Sequence, residues 1–132
     1  MQTISLTAEQ IKELVSIAKD VHPDESCALL LGQNDRVFEI LPMRNADESS
    51  VTFSIEPTEL LRAYGLAESK GLEVIAIFHS HPSSPCPSRT DRKFMEINPV
   101  VWLIYSTTEQ LLKAYVYDED VEDVGIKITA MG

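Results

Sequence analysis

Between His79 and Asp91 the chain reads His-Ser-His-Pro-Ser-Ser-Pro-Cys-Pro-Ser-Arg-Thr-Asp. Two imidazoles and one carboxylate are the residue types of a three-ligand zinc site that keeps its fourth position for water, and zinc brings the pKa of that water to about 7. A second carboxylate, held off the metal, is then needed to position the water and move protons. The same residues also fit a plainer reading, in which the histidines are polar strand-end positions and Asp91 is only a helix-start acid.

The flanking elements decide whether the three side chains can meet. Val74-Ile-Ala-Ile-Phe78 is apolar, rich in β-branched residues and too short for a helix, so it predicts a buried strand. Side chains alternate along a strand, so His79 and His81 leave it on one side, about 7 Å apart at the backbone. Ser80 points the other way and is assigned a structural part only. Pro82, Pro85 and Pro87 end ladder pairing and stiffen the exit loop. Ser88 is placed to cap a helix whose third residue is Asp91, where a first turn favours an acid.

This stretch resembles the JAMM signature of the MPN/JAB metallopeptidases, His-x-His-Pro, a loop, then Ser-x-x-Asp. That pattern also asks for an upstream glutamate on a strand beginning roughly Glu-x-Cys-Gly-x-Leu-x-Gly. The chain offers Glu25-Ser-Cys-Ala-Leu-Leu-Leu-Gly32, with Ala28 where the family often has glycine. Six residues separate His81 from Ser88, one fewer than in many members. The resemblance spans nearly the whole chain and resembles the compact prokaryotic members most. It implies zinc held by His79, His81 and Asp91, Glu25 as general base, and Ser88 as a stabiliser of the tetrahedral oxyanion. Without the motif, Glu25 reads as a solvent-facing strand end. As the base, its pKa need not be strongly raised where zinc has already acidified the water. Cys86 lies in the same loop and could complete a zinc set; Asp91 fits the family position better, and a thiol there reads as redox-sensitive.

The 132 residues bound the answer to one domain, 1–132, large enough for a single core. A net charge of −10 argues against a general affinity for nucleic acid or anionic lipid. No apolar run reaches the roughly 18 residues of a membrane span and no leader pattern opens the chain, so a cytoplasmic location is expected. The two cysteines, far apart, fit a reducing compartment better than a disulfide framework.

In chain order, Thr3–Leu6 is expected as an edge strand or extended lead-in. Thr7 starts a helix with Gln10 as capping-box partner, and Ile11, Leu14, Val15, Ala18 and Val21 form its apolar stripe. His22-Pro23 stops it; His22 reads as a loop histidine. Cys27–Leu31 and Arg36–Leu41 form a hairpin about a turn at Gly32–Asp35. Val51–Ile55 alternates like a strand. Pro57 opens a helix with Leu60, Leu61, Tyr64 and Ala67 on its apolar face, ended by Gly71. After the helix from Ser88 to about Asn98 come strands at Val100–Tyr105, Leu111–Tyr117 and Ile126–Thr129. Trp102 is expected in the core, and the acidic run Asp118–Asp123 is expected as a solvated turn.

The tally is an α+β, mixed α/β layering: a curved, mostly antiparallel or mixed sheet flanked by helices. It agrees with the MPN/JAB, cytidine-deaminase-like fold that the resemblance implies. That resemblance makes the chain a zinc metallopeptidase acting on a ubiquitin-like protein conjugate or, alternatively, on the tail of a sulfur-carrier protein, for instance releasing a terminal cysteine. A metal-free MPN scaffold and a DNA-repair relative of the same fold are the readings from other classes. The intact ligand set speaks against the first, and the acidic charge against the second. A homodimer is left open.

Overall fold

A computed structural model describes residues 3–130. Seven strands and three helices follow in the order β1 (Thr3–Thr7), α1 (Ala8–Val21), β2 (Cys27–Gln33), β3 (Arg36–Met43), α2 (Pro57–Ser69), β4 (Glu73–His81), α3 (Arg89–Ile97), β5 (Val101–Ser106), β6 (Leu111–Asp118) and β7 (Asp120–Thr129). The sheet is mixed, as expected, and its curvature carries through to closure: the strands run β1-β3-β2-β4-β5-β6-β7 around a barrel.

Thr3–Thr7 is therefore not an edge strand. It pairs in parallel with β7 from Thr3↔Gly125 to Thr7↔Thr129 and meets β3 at Ser5↔Arg36. Its neighbours are about 120 residues and 30 residues away in the chain, and no local pattern announces partners so distant.

The central pairings place the chemistry. β4 lies antiparallel to β2, with Cys27 opposite His79, and parallel to β5, with His79 opposite Ile104. Parallel neighbours need a crossover, here the proline-rich loop and α3, so the exit of β4 runs straight into the first turn of that helix. Gly32 sits where the β2–β3 register slips, and a Cβ there would collide with the Arg36 carbonyl.

Two cores form on the two faces of the sheet. Ile4, Leu6, Ala28, Leu30, Ala76, Phe78 and Leu103 pack with Leu14 and Ala18 of α1. Leu29, Leu31, Ile77, Trp102 and Ile104 pack with Ala63 and Ala67 of α2 and Met95 of α3. Alternation along β4 puts Ile77 and His79 on this second face.

Local reading at the helix starts holds. Thr7 and Gln10 form the reciprocal capping box, and so do Ser88 and Asp91. Elsewhere the structure differs. Val51–Ile55 joins no strand; its backbone is held by side chains of the preceding loop. The buried face of α2 is Ala63 and Ala67, whereas Leu61 is 74% exposed and Tyr64 is also exposed. Small residues let that helix sit close to the sheet, a preference that counting large apolar side chains does not detect. Val21 of α1 is likewise exposed. The acidic run is not a free turn: Glu119, at φ 65°, makes the bend, and β7 begins at Asp120.

Candidate metal centre

Glu25, His79, His81 and Asp91 are 3%, 0%, 5% and 4% exposed, four titratable groups with almost no access to water. Burial of that kind is costly unless the groups serve one another or a cation. Nε2 of His79 lies 3.0 Å from Nε2 of His81 and 3.2 Å from Oδ2 of Asp91, and His81 Nε2 lies 3.0 Å from the same oxygen. Glu25 Oε2 stands farther off, 3.8 Å from His81 Nε2. Ligand atoms of Glu25, His79 and His81 fall within 4.8 Å of one another, a buried cluster able to hold a metal ion.

Each side chain has an identifiable support. β4 supplies both histidines from its end. The Ser84 carbonyl, 3.1 Å from His81 Nδ1, can only accept, so that nitrogen carries a proton and Nε2 is turned toward His79 and Asp91. Asp91 is set by the helix cap: its Oδ2 accepts the Ser88 N–H at 2.8 Å, and its own N–H donates to Ser88 Oγ at 3.0 Å. Glu25 precedes β2, and Ser80 fixes that approach. Its hydroxyl oxygen accepts from both the backbone N–H and the hydroxyl of Ser26 at 2.9 Å, while its own N–H donates to the Ser26 carbonyl. Ser80 is thus structural, as its direction on the strand indicated.

The electrostatics follow from crowding. Burial pushes the Glu25 carboxyl up to about 7, with His81 pulling it down and Asp91 and Asp47 adding to the rise. The sequence did not require a strongly raised carboxyl at Glu25; burial of the site produces one. Burial pushes His79 down, against the pull of Asp91. Burial also acts to lower His81, but the hydrogen bond and charge of Asp91, then Glu25, outweigh it and raise it. Burial tends to raise Asp91, yet hydrogen bonds from His79, His81 and the Ser88 N–H hold it far below the usual carboxylate range.

A cation fits this arrangement. A tetrahedral zinc with bonds of about 2.0–2.2 Å keeps its ligand atoms roughly 3.3–3.6 Å apart. The triangle of His79 Nε2, His81 Nε2 and Asp91 Oδ2 is only a few tenths of an ångström tighter, and two facing imidazole nitrogens beside a carboxylate otherwise compete for too few protons. Glu25 Oε1 is buried with no hydrogen-bond partner among the described residues, so one oxygen of the fourth group is uncommitted.

Among the described residues, other sequence candidates lie outside this cluster. His22 bonds Thr107 Oγ1 at 2.8 Å, Cys86 is exposed, and Cys27 is buried with its thiol pushed up to about 12 by burial and by the neighbouring charge of Glu25. Sequence reasoning missed Asn45 and Phe53. The Asn45 side chain donates to the carbonyls of Glu25 and Thr52, both at 3.0 Å, and accepts from the N–H groups of Asp47 and Ser54. Phe53 stacks on His79 with ring centroids 4.7 Å apart. An asparagine in a polar loop carries no sequence signal of that kind of hub.

The family of prokaryotic homologs of the JAB domain matches residues 7–117. The chain belongs to the prokaryotic JAB family. Among characterised members, this JAB-family chain is 38% identical to a desampylase of Pyrococcus furiosus over 79% of its own length and 74% of the relative's. It is 30% identical to a CysO-cysteine peptidase of Mycobacterium tuberculosis, covering 79% and 73%. A solution structure from Desulfitobacterium hafniense superposes with a TM-score of 0.87 at 30% identity, covering 98% of this chain and 94% of that one. A JAB1/MPN domain protein of Archaeoglobus fulgidus shares the fold with a TM-score of 0.61 at 24% identity, each chain covered to 96%. The MPN/JAB architecture expected from the sequence is the one observed. No helix among the described residues is long and apolar enough to cross a membrane.

Proposed function

We propose that this JAB-family chain is a zinc-dependent peptidase that cuts at the C-terminal tail of a small sulfur-carrier or ubiquitin-like protein, releasing a terminal residue such as cysteine. Relatives that include a CysO-cysteine peptidase support tail trimming better than the isopeptidase reading that led at the sequence level. The single observation that carries the proposal is the buried triangle of His79, His81 and Asp91 with Glu25 beside it.

In this reading His79, His81 and Asp91 hold zinc. When bound, zinc supplies a Lewis acid that eases deprotonation of water at neutral pH. Glu25 takes a proton from the attacking water as the oxygen–carbon bond forms, then delivers it to the nitrogen as the carbon–nitrogen bond breaks. A carboxyl poised near neutrality suits a group that must both accept and return a proton. Ser88 keeps its hydroxyl proton while its oxygen accepts from the Asp91 N–H, so it can donate to the oxyanion without leaving its cap.

The test measures metal content and cleavage together. Wild type is expected to carry about one zinc per chain, as a single three-ligand site requires, and His79→Ala none. Glu25→Gln should keep the zinc and lose roughly 100-fold or more in rate on a tail-extended sulfur-carrier protein. A wild-type chain that takes up no zinc sinks the proposal, and faster cleavage of a lysine-linked conjugate than of the extended tail returns the lead to the isopeptidase reading.

A further inference from the structure

The two imidazoles of the centre are held by different means. His81 is oriented by a hydrogen bond from Nδ1 to the Ser84 carbonyl. Nδ1 of His79 is buried and has no hydrogen-bond partner among the described residues. Its ring instead lies against two aromatic side chains. Phe53 stacks on it at 4.7 Å with 25° between the planes, and Trp102 meets it edge-on at 5.7 Å and 84°. Phe53 and Trp102 also touch each other, 6.0 Å between centroids.

Metal-binding histidines generally owe their ring orientation to a hydrogen bond from the distal nitrogen, and losing such a partner costs metal affinity. In His79 the aromatic packing stands in that position. Phe53 does not come from the sheet. It sits in the unpaired 51–55 segment, whose place is set by the Asn45 amide, by the Ala46 N–H to the Ser54 carbonyl at 2.9 Å, and by Asp47 accepting from the Thr52 and Ser54 hydroxyls. A loop that bonds itself so completely holds one ring at a fixed place, 9% exposed, against the imidazole.

We infer that Phe53 is a positioning residue for the metal ligand His79, fixing the imidazole plane through its ring face in place of a hydrogen bond. This rests on the reading that His79 binds zinc. Leucine at this position keeps apolar bulk but has no ring face, whereas tyrosine keeps the face. The role therefore predicts a separation that ordinary packing does not: Phe53→Leu loses metal affinity and Phe53→Tyr retains it.

The experiment titrates metal-free protein with zinc against a chromophoric chelator, and with cobalt(II) to read coordination geometry from its visible spectrum. Thermal melts run alongside. Val37→Ala, a buried change on the α1 face, serves as a destabilised control. Phe53→Leu is expected to raise the zinc Kd about tenfold, the scale of a lost second partner, and to change the cobalt spectrum. Phe53→Tyr should restore both, and Val37→Ala should alter neither. If Phe53→Leu does not fold, Phe53→Met carries the same expectation. Equal zinc affinity and an unchanged spectrum in the leucine or methionine variant, with only the melt lowered, overturn this inference alone. A wild-type chain that binds no zinc overturns the metal reading and this inference with it.

Discussion

The two faces of the sheet are built from the same strands and do opposite things. The face under α1 buries Ile4, Leu14, Leu30, Phe78 and Leu103, and the buried charged groups among the described residues lie away from it. On the opposite face the apolar cluster of Leu29, Ile77 and Trp102 continues into His79, His81, Asp91 and Glu25, all nearly inaccessible. Apolar burial contributes roughly 25 cal/mol per Å² removed from water, while buried polar groups without full partners cost free energy. Both faces bury apolar surface, and the second alone adds buried charged groups among the described residues. Because alternate residues of β4 serve both, one strand carries the division: Ala76 and Phe78 to one side, Ile77 and His79 to the other.

If that division is real, damage to the first face should be thermodynamic and damage to the second chemical. Leu14→Ala, under α1, is expected to lower unfolding free energy by about 2–5 kcal/mol, with the zinc affinity of the folded protein unaltered. Denaturant titration and chelator competition on the same samples check it. A change in zinc affinity larger than about threefold would break the comparison, since sites without shared partners act nearly independently.

Ser88→Ala probes two parts at once, the observed cap of α3 and the oxyanion donor of the proposed mechanism. Loss of the cap should cost about 1 kcal/mol, and loss of the oxyanion donor about 100-fold in kcat. Ser88→Gly, which an N-cap tolerates at a cost of only about a few tenths of a kcal/mol and which brings no side-chain donor, should recover most of the stability. Recovery of the full rate as well would show that Ser88 acts only as a cap.

The smallest effect is in pH. The folded-state pKa of Glu25, about 7, lies above its ordinary 4.5, so between those values the folded chain holds more proton than the unfolded one. The contribution of Glu25 to the stability of the zinc-free protein therefore falls as pH rises from about 4.5 through about 7, by linkage. Glu25→Gln removes that contribution, and the difference between the two stability profiles isolates it from the slopes of His79 and His81, which titrate in the same range. A difference that does not change over this window would place Glu25 in a wetter setting than its 3% exposure indicates.

Much of the site was legible because its parts are local. Two histidines at strand spacing, a capping serine and the acid three residues on are short-range facts, and the structure brings all of them together. Glu25 needed the resemblance, since nothing in its own neighbourhood separates a base from a strand end. The illegible parts are those decided at a distance. Val51, Phe53 and Ile55 alternate as a strand does, yet the Asn45 amide takes up backbone groups that a ladder would have used. The alternation is real in its effect, since it sends Phe53 inward, and false in its cause. Likewise β1 closes the barrel with β7, a partner about 120 residues away that no local pattern announces.

That closure has an uneven strength. Along β7 the first strand is zipped from Thr3 to Thr7, but toward β3 it is joined at Ser5↔Arg36, helped by the Ser5 N–H to the Asp35 carbonyl at 2.7 Å. A ring of strands with one weak seam has a preferred place to part. Amide exchange should begin there, with β1 and β7 swinging out as a pair, while the β2–β4–β5 ladders beneath the histidines stay protected. The barrel can thus breathe at its stitching without disturbing the cluster of His79, His81, Asp91 and Glu25.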